Sequence, residues 1–138
     1  MENAVVEKSK AFALRIIKLY KYLDANHKIG VVSTQILKSG TSIGANVKEA
    51  IRAQSKSDFY AKLNISLKEA SETEYWLELL YESEYITKEQ FESIYSDCQE
   101  LLRILTSITK TQKKYLRITH YEFIIILYTG MKGFRRGF

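Results

Sequence analysis

Apolar residues recur at intervals of three and four along most of the chain, which is the spacing that places them on one face of an α-helix. A first stripe ends before Asn26 to Gly30, a stretch typical of a helix end. A second stripe is interrupted by Gly40 and Gly44, which each cost a helix interior about 1 kcal/mol relative to alanine, so a packing or functional reason is expected. The stripes consist of Val5, Phe12, Ile16, Leu19, Tyr20 and Leu23, and of Val32, Ile36, Ile43, Val47, Ala50 and Ile51.

Two further stripes each begin with a helix-start signal. Ser55 followed by Asp58, and Thr87 followed by Gln90, have the spacing of a capping box, in which side chains satisfy the free amide groups of the first turn. The pattern predicts a third helix from near Ser55 to about Tyr85, and a fourth that begins near Thr87. Their apolar residues are Phe59, Leu63, Leu67, Ala70, Leu77 and Leu80, and Phe91, Ile94, Cys98, Leu101, Leu102, Leu105 and Ile108.

Helices of this length, about 30 to 45 Å, that are joined by short connections have to lie nearly antiparallel to bury their apolar stripes. We therefore expect an all-α protein, an antiparallel up-down-up-down four-helix bundle over residues 1–116. Residues 117–138 are rich in β-branched and aromatic residues and are expected to form a short C-terminal tail. Such a tail could continue the fourth helix, pack across the bundle or contact another subunit, and a packed or partly disordered terminus is favoured over an active role.

The composition supports one globular domain. The chain has 138 residues, of which 46% are hydrophobic and 27% charged, and this balance argues against disorder. It contains no proline, which favours long helices, and one cysteine, Cys98, which excludes a disulfide within the chain. No run of 18 apolar residues and no signal-peptide pattern occurs, so we expect a cytoplasmic protein without membrane contact.

Side chains that commonly catalyse reactions are scarce. The only histidines, His27 and His120, cannot assemble a di-iron bundle site, which needs two Glu-x-x-His helices. Cys98 lies on an apolar stripe and is expected to be a small buried hydrophobic residue rather than a nucleophile. The segment from Gly40 to Gly44 lacks the lysine and the preceding strand of a phosphate-binding loop. We therefore expect no enzyme activity, no catalytic residue, no metal and no cofactor.

A group of polar residues is concentrated on the second and third helices. Its members are Asn46, Glu49, Lys68, Glu69, Glu72 and Thr73. One interpretation is a solvated face with helix ion pairs, each worth about a few tenths of a kcal/mol. Another is a network that fixes the register of the two helices, beside small residues that let the backbones approach. A divalent metal held by Glu49, Glu69 and Glu72 is a third, less favoured interpretation.

The stretch from Gln35 to Leu80 contains two motifs in order. The first, S-I-x-A-N-x-x-E-A/G, is matched by Ser42, Ile43, Ala45, Asn46, Glu49 and Ala50. The second, D-F-x-x-x-x-x-I-A/S-x-K-E-A-x-E-T-x-Y-W-L, is matched by Asp58, Phe59, Ile65, Ser66, Lys68, Glu69, Ala70, Glu72, Thr73, Tyr75, Trp76 and Leu77. Over about residues 4–115 the chain therefore resembles the bacterial four-helix bundle protein family that includes the proteins encoded by 23S ribosomal RNA intervening sequences.

The resemblance implies an antiparallel bundle that assembles into a homopentameric ring. The related accessory variability determinant of diversity-generating retroelements shares this architecture, and it binds nucleic acid and a reverse transcriptase through basic surfaces. The partners implied are other copies of the chain, RNA or DNA, and a nucleic-acid-processing protein such as a reverse transcriptase. The motif residues are expected to be mainly structural, and the ones singled out are Ser42, Asn46, Glu49, Asp58, Lys68, Glu69, Glu72 and Trp76.

The favoured function is that of a non-enzymatic oligomeric scaffold that binds RNA or DNA by neutralising phosphates. The alternative is a protein-binding assembly scaffold without nucleic-acid contact, whose partner masks apolar residues such as Phe123, Ile125 and Leu127. The candidate nucleic-acid-binding residues are the basic residues Lys8, Arg15, Lys18, Lys21, Lys38, Lys48, Arg52 and Lys56.

The net charge of +5 is unevenly distributed. Residues 1–57 contain ten basic and four acidic residues, residues 58–110 contain five and eleven, and residues 111–138 contain six and one. The bundle as far as residue 110 is therefore neutral overall, with a basic first pair of helices and an acidic second pair. This division suits subunits that meet head to tail in a ring, and it equally suits one basic rim for phosphates.

Overall fold

The computed structural model describes the backbone of residues 2–129 and the side chains of residues 4–112. Its helices are α1 (Glu2–Asn26), α2 (Gly30–Ile51), α3 (Lys56–Glu82) and α4 (Lys88–Thr129), and this part of the chain contains no β-strand. The backbones of α1 and α3 each lie close to those of α2 and α4, whereas the backbones of neither diagonal pair come close over the described residues. Because short connections join the helices, consecutive helices run antiparallel, which confirms the predicted up-down-up-down bundle.

The apolar stripes of all four helices meet in one core. Phe12, Ile16, Leu77 and Leu105 are each at most 1% exposed, as their helical spacing predicts. Ile51, at the end of α2, differs because 48% of it remains exposed. The other buried apolar residues are Val5, Leu23, Ile36, Ile43, Val47, Ala50, Leu63, Ala70, Leu80, Ile86, Ile94, Cys98 and Leu101.

Both predicted capping signals form at helix starts. The Oγ atom of Ser55 accepts a hydrogen bond from the amide of Asp58 at 3.0 Å, which caps α3. Before α4, the amide of Gln90 donates to Oγ1 of Thr87 at 3.2 Å, and the amide of Thr87 donates to Oε1 of Gln90 at 2.8 Å. This reciprocal pair is the full capping box.

α3 ends at Glu82, earlier than the predicted end near Tyr85. The amide of Glu84 donates to the carbonyl of Tyr81 at 3.0 Å, and the amide of Tyr85 donates to the carbonyl of Leu80 at 2.9 Å. These two bonds form a Schellman motif, which requires a left-handed residue after the cap. Glu84 takes that conformation with φ of 66°, so the chain leaves the helix at a position where no glycine marks the end.

The two interior glycines lie where α1 and α2 approach each other. A Cβ atom at Gly40 would lie 2.7 Å from Cγ1 of Ile16, and one at Gly44 would lie 3.3 Å from the carbonyl oxygen of Ser9. The packing reason expected for these glycines is therefore close contact with α1, rather than the approach of α2 to α3 that their polar neighbours suggested.

The backbone of α4 continues without a break across the expected boundary at residue 116 as far as Thr129. Of the interpretations offered for the C-terminal segment, continuation of the fourth helix matches this backbone. The side chains of Phe123, Ile125 and Leu127 lie outside the described residues, as do residues 130–138 altogether. Within the described residues, no helix combines the length and the apolar character needed to cross a membrane.

Candidate nucleic-acid interface

Two of the candidate basic residues bind acidic side chains of α4. Nη1 of Arg15 lies 2.6 Å from Oδ2 of Asp97 and donates to the carbonyl of Ser93 at 3.1 Å, while Nη2 of Arg15 donates to Oγ of Ser93 at 2.7 Å. Two turns before Arg15 on α1, the ammonium of Lys8 pairs with Glu100 of α4. Lys8 and Arg15 therefore hold α1 against α4, and a phosphate would have to compete with carboxylates already in place.

Four other candidates remain exposed and unpaired. Lys18 and Lys21 on α1, Lys48 on α2 and Arg52 directly after α2 form no ion pair with any residue whose side chain the structure describes. Their charged groups are open to solvent, so a phosphate can approach them without displacing a carboxylate. They are the most accessible of the candidate residues, and we refer to these four residues below as the basic face. Because α1 and α2 are antiparallel, Lys18 and Lys21 lie toward one end of the bundle and Lys48 and Arg52 lie at the other.

Lys38 and Lys56 have different surroundings from the basic face. Lys38 is exposed on the side of α2 that approaches α3, where its charge lowers the pKa of the Glu69 carboxyl. Burial and then the negative charge of Glu72 oppose this effect, and the net result is a raised Glu69 pKa. Lys56 is exposed at the first position of α3.

One basic residue of α1 was not among the candidates. Lys10 is exposed and precedes Leu14 by four residues, while Lys18 follows Leu14 by four, so the three side chains share one helix face. Leu14 is 55% exposed. The spacing of lysines around one exposed leucine was visible in the sequence and could have identified Lys10.

The polar residues of the family motifs make mostly local contacts. Nδ2 of Asn46 donates to the carbonyl of Ser42 at 2.8 Å, within the same helix. Nε1 of Trp76 donates to Oε1 of Glu72 at 3.2 Å, one turn away on α3. Among these residues, Glu49 reaches the neighbouring helix, because its carboxylate lies 3.2 Å from Nζ of Lys62.

The other bonds between α2 and α3 come from small hydroxyl residues, of which Ser39 and Ser66 lie outside the predicted cluster. Oγ1 of Thr73 donates to Oγ of Ser39 at 2.9 Å, and both residues are buried. The hydroxyl of Ser66, also buried, donates to the backbone carbonyl of Ile43. Separate contacts therefore fix the register of the two helices, and of the predicted cluster Thr73, through Ser39, and Glu49, through Lys62, take part in them. Serines are common in helices, and nothing in the sequence pairs Ser39 with Thr73 across 34 positions.

The carboxylates considered for a metal do not form a common site. In the described part of the chain, no three side chains of His, Cys, Asp or Glu come close enough together to hold a metal ion. Glu49 pairs with Lys62, and Glu72 accepts from Trp76, so two of the three carboxylates are engaged elsewhere.

Cys98 is part of the core, as its position on the apolar stripe predicts. Its side chain is 0% exposed, and its Sγ lies 3.5 Å from the carbonyl of Ala70. Burial, followed by the negative charges of Glu74, Asp97 and Glu78, raises the pKa of the thiol to about 12. The thiolate needed for nucleophilic chemistry is therefore strongly disfavoured.

Comparison with known proteins places these observations in one family. A 1.70 Å crystal structure of a protein with unknown function from the S23 ribosomal protein family of Bacteroides thetaiotaomicron VPI-5482 is 60% identical to this chain, with a TM-score of 0.76. The match covers 77% of this chain and 98% of that one. No curated protein matches the chain. The family model described as 23S rRNA-intervening sequence protein matches residues 1–107, and the chain therefore belongs to that family.

Proposed function

We propose that the protein is a non-enzymatic oligomeric scaffold that binds RNA or DNA through the basic face of α1 and α2. The observation that carries the proposal is the set of exposed cations without an acidic partner among the described residues: Lys18, Lys21, Lys48 and Arg52. Their density contrasts with residues 58–110, where acidic residues outnumber basic ones eleven to five. A nucleic acid would meet an attractive potential on one pair of helices and a repulsive one on the other.

Binding of this kind neutralises phosphates and releases their counterions. Lysines spaced along a helix contact phosphates and do not recognise base edges. The proposed binding is therefore weakly sequence-specific, and it is strongly salt-dependent because it releases counterions. The homopentamer implied by the family resemblance would repeat the basic face five times and raise the avidity for a long strand.

A salt titration with matched charge variants tests the proposal. The variant K18Q/K21Q/K48Q removes three charges from the basic face, and K68Q/K88Q/K110Q removes three from α3 and α4. Filter binding of a 30-nucleotide RNA is measured between about 50 and 300 mM KCl. We expect the first variant to lose at least about tenfold in affinity and to flatten the salt slope by about two, because each single-strand phosphate contact contributes about 0.7.

The control variant is expected to keep the wild-type slope. Equal losses in both variants would mean that net charge alone matters and would contradict a specific basic face. A flat salt response or no binding at low salt would reject nucleic-acid binding. Light scattering tests the assembly, and a monomer at micromolar concentration would contradict the oligomeric part of the proposal.

One observation favours the second candidate function, a protein-binding scaffold without nucleic-acid contact. Tyr75 is 53% exposed on α3, and Ile65 on the same helix is 40% exposed. Tyr75 packs edge-on against Trp76 with ring centroids 5.2 Å apart, and exposed aromatic pairs are enriched at protein interfaces. A partner captured by the wild type but not by Tyr75→Ala after nuclease treatment would support this function.

A further inference from the structure

A cavity of about 520 Å³ lies at the end of the bundle where the α1–α2 and α3–α4 connections meet. It lies at the opposite end of the bundle from Lys48 and Arg52, whereas Lys18 and Lys21 lie on α1 within about one turn of Tyr22. Its walls are formed mainly by three tyrosines, one histidine and two glutamates, namely Tyr22, His27, Tyr81, Glu82, Glu84 and Tyr85.

Aromatic rings enclose His27 on two sides. Its ring stands edge-on to Tyr22 with centroids 5.7 Å apart, and edge-on to Tyr85 with centroids 5.3 Å apart. Nε2 of His27 is buried and has no hydrogen-bond partner among the described residues. A buried polar atom without a partner costs about 1 to 3 kcal/mol. In the tautomer that carries its proton on Nδ1, Nε2 is an acceptor, and a ligand that donates a hydrogen bond satisfies it.

The two glutamates add negative charge at the mouth of the cavity. Glu82 and Glu84 are exposed, and neither forms an ion pair with any described side chain. Lys88, at the start of α4, lies 3.8 Å from Glu92, and neither Lys88 nor Lys28 lines the cavity. No basic residue is among the described residues that line the cavity, so the two carboxylates have no counter-charge within it.

We propose that this cavity binds the guanidinium group of an arginine side chain presented by a partner polypeptide. A guanidinium is planar and weakly hydrated, so it stacks on tyrosine faces, and its five donors match carboxylates and a lone imidazole nitrogen. The two carboxylates repel phosphate groups, and a wholly apolar ligand would desolvate them without compensation. The site therefore goes beyond the proposed nucleic-acid binding and does not depend on it.

Titration with a minimal probe tests the proposal directly. The probe is N-acetyl-arginine amide, and its control is N-acetyl-citrulline amide, which keeps the planar shape but lacks the charge. Binding to the full chain is followed by NMR from the ring signals of His27 and Tyr22. We expect saturable binding of the arginine probe in the millimolar range, and citrulline to bind at least tenfold more weakly.

Matched variants locate the site. E82Q/E84Q is expected to weaken the arginine probe by about five- to tenfold, whereas E7Q/E72Q, which removes the same charge from exposed positions elsewhere, should change it by less than twofold. Circular dichroism verifies that both variants stay folded. Equal affinity for the two probes, or an unchanged affinity in E82Q/E84Q, would overturn the proposal. Dissociation of an oligomer by the probe would assign the cavity to an arginine of another copy, and would overturn the assignment to a separate partner.

Discussion

Replacement of Gly40 by alanine tests whether α1 and α2 touch at the distance that the structure shows. The new methyl group would lie 2.7 Å from Cγ1 and 2.8 Å from Cγ2 of Ile16, whose side chain is 0% exposed. Both atoms are attached directly to Cβ, and a β-branched residue in a helix has one strongly preferred rotamer, so Ile16 cannot turn away. The backbones have to separate instead.

The magnitude follows from two opposing effects. Overpacking a core of this kind costs about 1 to 3 kcal/mol, while alanine stabilises a helix interior by about 1 kcal/mol relative to glycine. We therefore expect Gly40→Ala to lower the free energy of unfolding by about 1 kcal/mol. Urea denaturation at a fixed protein concentration measures the change, with the slope m compared to verify that the transition stays the same.

A second substitution should reverse the sign. Ile16→Ala removes the three atoms that collide with the new methyl group and by itself costs about 2 to 5 kcal/mol. In that background Gly40→Ala fills part of the space and keeps its helix gain, so G40A/I16A should be more stable than I16A. Gly44→Ala is the control, because its nearest neighbour lies at 3.3 Å and the helix gain should offset a small shift. The close contact would be refuted if G40A were as stable as the wild type. It would also be refuted if Gly40→Ala changed the free energy of unfolding in the same direction in the wild type and in I16A.

Two further predictions concern a buried thiol and a helix end. Because burial raises the pKa of Cys98 to about 12, only about one thiol in ten thousand is ionised at pH 8, and a disulfide reagent should label it in urea but not in the native protein. Rapid native labelling would contradict its burial. Glu84→Gly should raise the free energy of unfolding by about 1 kcal/mol, because glycine adopts the left-handed conformation without strain, while Glu82→Gly at the last position of α3 should lower it by a smaller amount. Thermal unfolding monitored by circular dichroism distinguishes these opposite signs.

The helices could be predicted because their signals are local. Apolar spacing determines which face of each helix is buried, and the pair Thr87 and Gln90 marks the start of α4 by a bond between residues three positions apart. The end of α3 was harder to predict. A Schellman turn normally contains glycine at its left-handed position, and here Glu84 occupies it, so the usual sequence signal is missing.

The candidate site depended on contacts between helices, which sequence spacing does not reveal. Lys8, Arg15, Lys18 and Lys21 look alike along the chain, yet Lys8 and Arg15 meet carboxylates of α4 that lie 92 and 82 positions away. In the same way, the glycines of α2 could have faced either neighbouring helix. The resemblance to a family indicated which residues matter, but it did not indicate which of them touch.

The charge division along the chain has a consequence within one subunit as well as between subunits. Basic residues of α1 bind acidic residues of α4 through Lys8 with Glu100 and Arg15 with Asp97, so part of the complementarity expected between subunits is satisfied inside the bundle. Exposed ion pairs of this kind contribute at most about 1 kcal/mol each, but they remove two cations from the surface that a phosphate would meet. Lys48 and Arg52 lie at the end of α2, whereas the unpaired carboxylates of Glu82 and Glu84 lie at the end of α3, which is the opposite end of the antiparallel bundle. Opposite charges that are separated in this way can attract different partners at the same time, so under the two proposals above a neutral bundle would bridge a nucleic acid and a protein that presents an arginine.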